Sequence, residues 1–275
     1  GSVTDPSVVK EAMQGVDVVH HLAAAFRELN VPNTYYDEVN VGGARTVLEA
    51  AVSAGAKRFI YCSTCGVHGD VQHPPANEDA PIAAADYYQQ TKYQAEPLVH
   101  EHQNRGLSTV ILRPAAIYGP GDPERFGMIF RRVAKGSFPI FGDGKAFYHP
   151  LYIDNFVDAL EKVTHDGVGD GRTYLIADHE YVTTEELVNR VAAAMNRSVK
   201  TPHFPFWPLW LHFFEKSCKP LKVAPPIFPR RVDWYRQNRA FDISRALNEI
   251  SYNPSVGLDE GLRATAKWYE EEGYL

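Results

Sequence analysis

Asp86-Tyr87-Tyr88-Gln89-Gln90-Thr91-Lys92 is the stretch on which the fold turns. Beyond it, apolar positions recur at threes and fours through Tyr93, Ala95, Leu98 and Val99, a period that predicts a helix over 86–105. On that helix Tyr88 and Lys92 stand one turn apart on one face. A phenol titrates near pH ~10, and a neighbouring ammonium favours the phenolate by roughly 1–3 pH units, which brings the group towards general acid/base work. The same spacing also occurs on ordinary helix surfaces, so the pair takes its meaning from its surroundings.

Working outward, short apolar, β-rich runs at 16–22, 58–62 and 109–113 read as strands buried on both faces, as in a parallel sheet with helices between its strands. Asp5-Pro6 suits the start of a short helix reaching residue 14, and 34–54 has helical periodicity with Gly55 as its stop. Asn40 lies inside that second helix, where an amide is unfavourable unless its side chain is occupied. Ala23-Ala24-Ala25 follows the first strand, small enough for a ligand to approach the backbone or for tight helix–strand packing. Ser63-Thr64 end the second strand. Ligands of open parallel sheets bind beyond the carboxyl ends of strands, although hydroxyls also end strands for turn reasons alone.

Cys62 and Cys65 form a C-x-x-C without a second ligand pair, and His100 and His102, two apart, point to different sides of a helix, so no metal site is expected. A Pro/Gly loop covers 114–121, a helix 126–135, and Phe141-Gly142-Asp143-Gly144 signals a turn. Asp154-Asn155 is expected to cap a helix to about residue 164, and 173–176 to be a strand. Thr183-Thr184-Glu185-Glu186 is expected to open a helix through Met195, with two further helices over 242–249 and 257–272.

With 275 residues, 44% of them apolar, the chain can bury one sizeable core or a main domain with a lobe. A net charge of −6 without a basic block argues against nucleic acid and anionic membranes. No apolar run approaches the ~20 residues of a membrane span, and no signal peptide pattern is recognisable. Three cysteines suit a reducing, cytoplasmic setting. Over 201–229 prolines punctuate an aromatic run of Phe204, Phe206, Trp207, Trp210, Phe213 and Phe214. Such a run fits a lid over an apolar substrate, an interfacial patch, a dimer surface or the packing of a small lobe.

Taken together, His21-Leu22-Ala23-Ala24, Asn40-Val41-Gly42-Gly43, Tyr61-Cys62-Ser63-Thr64 with Val67 and Gly69, Tyr88-x-x-x-Lys92, Arg113-Pro114 with Ile117 to Asp122, and Tyr152-Ile153-Asp154-Asn155 resemble the extended short-chain dehydrogenase/reductase family. That family includes sugar-nucleotide epimerases and 3β-hydroxysteroid dehydrogenases. The resemblance runs through nearly the whole chain. It implies an α/β fold, a doubly wound parallel Rossmann-type sheet over 1–165, with a smaller C-terminal substrate lobe mainly over 166–275 and the chain crossing between them.

It also implies NAD or NADP as cofactor and hydride transfer on a secondary alcohol or ketone. Tyr88 matches the general acid/base and Lys92 its cationic neighbour, which also holds the nicotinamide ribose. Thr64, more often Ser in the family, matches the hydroxyl that bonds the reacting oxygen, and Asn40 the supporting amide. Cofactor contacts fall on Leu22, Ala23, Ala24, Asn40, Cys62, Tyr88, Lys92 and Pro114. His68 stands where Tyr is common, and Ala44 where Thr is common.

The family's opening Gly-x-x-Gly-x-x-Gly turn, which presents backbone donors to the pyrophosphate, has no counterpart among these 275 residues. The expectation is therefore an N-terminally truncated sheet with an apolar edge at 16–22, homo-oligomerisation, and little NAD(P) binding or activity by this chain alone. The other readings are an NAD-dependent sugar-nucleotide epimerase or dehydratase and a non-enzymatic scaffold. Retention of Thr64, Tyr88 and Lys92 together speaks against the scaffold, and the aromatic run favours an apolar small-molecule substrate over a nucleotide sugar, for which Arg230 and Arg231 would supply the charge.

Overall fold

The computed structural model describes residues 1–26, 28, 31–124, 126–205 and 234–275. The first half of the chain alternates helix and strand: α1 (Pro6–Ala12), β1 (Val18–His21), α2 (Asn33–Tyr36) running through a π-helical stretch (Asp37–Gly42) into α3 (Gly43–Ala54), β2 (Arg58–Cys62), α4 (Tyr87–Asn104) and β3 (Ser108–Pro114). There follow β4 (Ala116–Tyr118), α5 (Gly127–Ala134), β5 (Ile140–Phe141), β6 (Phe147–Tyr148), β7 (Pro150–Tyr152), α6 (Ile153–Lys162) and β8 (Thr173–Ile176). Then come β9 (Val182–Thr183), α7 (Thr184–Ala194), β10 (His203–Phe204), α8 (Ser244–Glu249) and α9 (Leu258–Glu271).

The principal sheet has the order β1-β2-β3-β8 and is parallel throughout, with Val18 opposite Arg58, Arg58 opposite Ser108 and Ile111 opposite Thr173. Alternation along its strands decides which helices cover which face. Phe59, Tyr61 and Ile111 pack with Val47, Leu48 and Ala51 of α3 and Ala95 and Val99 of α4. Ile60, Val110 and Leu112 face the other way, onto Phe156 and Ala159 of α6, Ala246 of α8 and Ile250 just beyond it. Helices therefore lie on both faces, as a doubly wound α/β sheet requires. A separate cluster joins α5, α7 and α9 through Phe130, Leu187, Val191, Leu262 and Tyr269, with Tyr118, Tyr148 and Tyr152 at its border. Among the described residues, no helix is long and apolar enough to cross a membrane.

Local chemistry accounts for the boundaries. Asp5 accepts from the Ser7 and Val8 amides and starts α1, and Gly55 at φ 75° ends α3. Thr183 accepts from the Glu186 N–H and starts α7. Two boundaries differ from the sequence expectation. The first strand is four residues rather than seven, and the Asp17 side chain beside it pairs with Lys57 at 2.9 Å. Asp154 and Asn155 lie within the first turn of α6 instead of capping it. Asn155 is occupied elsewhere: its amide donates to Asp178 Oδ1 (2.8 Å) and to the Val256 carbonyl (2.9 Å), and its own oxygen accepts from the Val256 N–H (3.1 Å).

Candidate active site

The carboxyl ends of β1, β2 and β3 open onto a cleft of about 370 Å³. Leu22 and Ala24 reach it from the loop after β1, Cys62 and Thr64 from the end of β2, Tyr88 from α4 and Pro114 from the end of β3. Six of the nine residues named from the sequence are thus brought to one place. Lys92 lies buried behind it, Asn40 is also buried, and Ala23 faces solvent.

Tyr88 stands in the first turn of α4, whose start is fixed by the Asp86 carboxylate accepting from the Gln89 N–H at 2.9 Å. Its ring lies 4.7 Å from that of Phe26, tilted by 60°. One turn further on, Lys92 is only 1% exposed, with its Nζ 4.3 Å from the centre of the Tyr61 ring. Burial draws its pKa down to about 8, while Cys62 and Glu96 act in the opposite direction. The Tyr61 hydroxyl donates to the Lys92 carbonyl at 3.2 Å and so anchors this turn of α4 on β2. Thr64 follows β2 in extended backbone, where its hydroxyl oxygen accepts from the Gly66 N–H at 3.1 Å.

Asn40 acts behind the cleft. Its Oδ1 accepts from the Ala25 N–H (2.7 Å), and its Nδ2 donates to the Ala25 carbonyl (3.2 Å) and to Thr91 Oγ1 (2.9 Å). The Thr91 hydroxyl in turn donates to the Tyr88 carbonyl at 2.9 Å. The amide therefore ties the loop after β1 to the turn that carries Tyr88, and it is presented from a π-helical turn, a geometry often found beside functional sites.

Cys62 and Cys65 differ in setting. Both border the cleft, but the Cys65 thiol is buried and donates to the Arg113 carbonyl at 2.9 Å, whereas Cys62 is partly exposed; burial raises both thiol pKa values. Among the described residues, no group of three His, Cys, Asp or Glu side chains is arranged to hold a metal.

The far wall contains residues that sequence reasoning missed, among them Tyr148, His149, Arg239 and Phe241. His149 donates from Nε2 to the Asp178 carbonyl (2.8 Å) and accepts at Nδ1 from the Phe241 N–H (3.2 Å). Both ring nitrogens are so used in the neutral form, and burial pulls the pKa down to about 4. Arg239 is fixed by its own N–H, which donates to the Phe147 carbonyl (2.9 Å), and by its Nη2, which donates to Gln237 Oε1 (2.7 Å). Nothing periodic or motif-like marks these positions. Phe204 is 46% exposed in β10, while Phe206, Trp207, Trp210, Phe213, Phe214, Arg230 and Arg231 lie outside the described residues, and the lid expectation with them.

The model of the NAD dependent epimerase/dehydratase family matches residues 1–177. A 3β-hydroxysteroid-dehydrogenase/decarboxylase (isoform 2) of Arabidopsis thaliana is 33% identical over 95% of this chain, which spans half the length of that plant relative. A 2-alkyl-3-oxoalkanoate reductase of Stenotrophomonas maltophilia is 30% identical, covering 96% of this chain and 83% of its own. The crystal structure of UDP-glucose 4-epimerase with UDP-glucose from Thermotoga maritima superposes with a TM-score of 0.80 at 22% identity, over 99% of this chain and 84% of that one, and shows the shared fold. The chain belongs to the NAD-dependent epimerase/dehydratase family, within the extended short-chain dehydrogenases.

Proposed function

We propose that the site moves hydride between a nicotinamide dinucleotide and a secondary alcohol or ketone on a largely apolar skeleton, with Tyr88 as general acid/base. The observation that carries this is the meeting of the Tyr88 and Thr64 side chains at one cleft beyond the strand ends, with the Lys92 ammonium buried behind them.

In the reducing direction the Tyr88 Oη–H donates its proton to the carbonyl oxygen as that oxygen gains charge. Thr64 supplies a second hydrogen bond to the same oxygen: its lone pair is taken by the Gly66 N–H, which leaves its own proton for the substrate. Lys92, desolvated against the Tyr61 ring, lowers the cost of a phenolate one helical turn away. The small shelf from Leu22 to Ala24, with Cys62 and Pro114 opposite, fits a flat nicotinamide and its ribose, with Lys92 as the ribose partner. The dinucleotide supplies or accepts the hydride when bound, and Asn40 steadies the shelf by gripping Ala25.

Phe26, Ile117, Tyr148 and Phe241 place apolar wall in a cleft that Asp86, Gln89, His149 and Arg239 also line; the apolar part supports an alkyl or alicyclic substrate of the kind named for the two relatives. The test is cofactor oxidation by NADH and NADPH with 2-alkyl-3-oxo acids, and the reverse reaction with 3β-hydroxysteroids. Turnover that disappears in Tyr88→Phe is expected; turnover that survives it refutes the assignment. Arg239 on the cleft wall favours a second reading, an epimerase that holds a nucleotide diphosphate, and conversion of UDP-sugars without net cofactor reduction would select it.

A further inference from the structure

Behind the cleft lies a buried ionic junction of Glu96 and Arg113, neither of which lines it, joined to it by Ser63 on its wall. Glu96 lies one helical turn beyond Lys92 on α4 and is 2% exposed. Its Oε1 accepts from Ser63 Oγ (2.6 Å) and Arg113 Nε (2.9 Å), and its Oε2 accepts from Arg113 Nη2 (2.6 Å). Arg113 Nη1 continues to His68 Nε2 (3.0 Å), while His68 Nδ1 donates to the Pro81 carbonyl at 3.2 Å. The histidine is therefore a neutral acceptor, and one carboxylate faces one guanidinium.

Each arm of this junction ends next to a cleft residue. Ser63 immediately precedes Thr64 at the end of β2, Arg113 immediately precedes Pro114 at the end of β3, and Glu96 shares its helix with Tyr88. Three segments that are separate in sequence thus meet on a single carboxylate. A bidentate guanidinium–carboxylate pair resists shear in a way that apolar packing does not, because its two parallel bonds fix both distance and orientation.

We propose that Glu96 and Arg113 are positioning residues that hold the end of β2 against α4 and so set the separation of the Thr64 and Tyr88 hydroxyls. The proposal rests on the hydride-transfer reading only for its kinetic consequence; the positional consequence stands alone.

The test compares the full chain with Glu96→Gln, Ser63→Ala and the double variant Glu96→Leu/Arg113→Met. Replacing a buried ion pair by apolar side chains of similar volume is often neutral or stabilising, so the double variant is expected to fold with a Tm near that of the parent. In its crystal structure the Thr64 Oγ1–Tyr88 Oη separation is expected to change by more than ~0.5 Å, the tolerance of a productive site. Where the parent turns over a substrate, kcat is expected to fall on the order of 10²-fold, with KM changed much less. Ser63→Ala, which removes one arm only, is expected to give a smaller fall.

Folded variants whose two hydroxyls have not moved, or whose kcat is unchanged, overturn the proposal. Should the double variant not fold, Glu96→Gln, which keeps the Ser63 contact and removes the charge, decides by the same two measurements. Where the parent shows no turnover, as is expected of this chain alone, the measured Thr64 Oγ1–Tyr88 Oη separation decides the positioning role by itself.

Discussion

At the scale of single residues, Tyr88 and Lys92 make opposite demands. Tyr88 sits half-buried at the cleft, and Tyr88→Phe removes one hydroxyl with little change in packing, so turnover is expected to fall by about 10²-fold or more, with the fold kept. Lys92 is held where an ammonium is costly. With its pKa drawn from 10.5 to about 8, the unfolded chain binds more protons than the folded one between those values. Stability from this group therefore rises as pH climbs from 8 to 10.5, and below 8 the buried charge costs on the order of 3 kcal/mol. Lys92→Met is expected to raise Tm at pH 7, an advantage that shrinks through that window, while abolishing turnover. In the parent, kcat/KM is expected to decline as pH passes about 8 and the ammonium is lost. A thermal-melt series against pH, run beside a rate profile, checks both.

At the scale of elements, the π-helical turn around Asn40 joins two pieces of the chain that carry site residues. Removing its amide strands the buried Ala25 N–H, and a buried polar group without a partner costs about 1–3 kcal/mol. Asn40→Leu is accordingly expected to destabilise by roughly 2–4 kcal/mol in urea titration, and Thr91→Val, which removes the bond from Asn40 and the bond to the Tyr88 carbonyl, by about 1–2 kcal/mol. A loss below ~0.5 kcal/mol for Asn40→Leu would show that the clamp contributes nothing. Much of this was legible beforehand. The period after Asp86 marked α4 to within a residue at each end, and an amide inside a helix marked Asn40 as a side chain with a partner to find. The π-turn itself was not, since which backbone groups Asn40 grips depends on a loop 15 residues away. His149, Arg239 and Phe241 were hidden for the same reason: they reach the cleft through tertiary contacts, which leave no periodic trace in the chain.

At the scale of the whole molecule, β1 is the outer strand of the principal sheet. The Asp17 carbonyl points at β2, accepting from the Lys57 and Arg58 N–H groups, so alternation turns Val19 and His21 the same way and Val18 and His20 outward. Hydrogen exchange on this chain is expected to be slow at Val19 and His21 and much faster at Val18 and His20. Equal protection at all four would mean that a further strand, from another copy or elsewhere, is paired there. The cleft, for its part, is walled by residues as far apart as Leu22 and Phe241. During synthesis the sheet strands leave the ribosome first and can begin to associate, yet the pocket they border has no far side until the Arg239–Phe241 stretch has been made. A nascent chain thus exposes Tyr88 and Lys92 well before residue 241 is made, and until then the cleft beside them is walled on one side only.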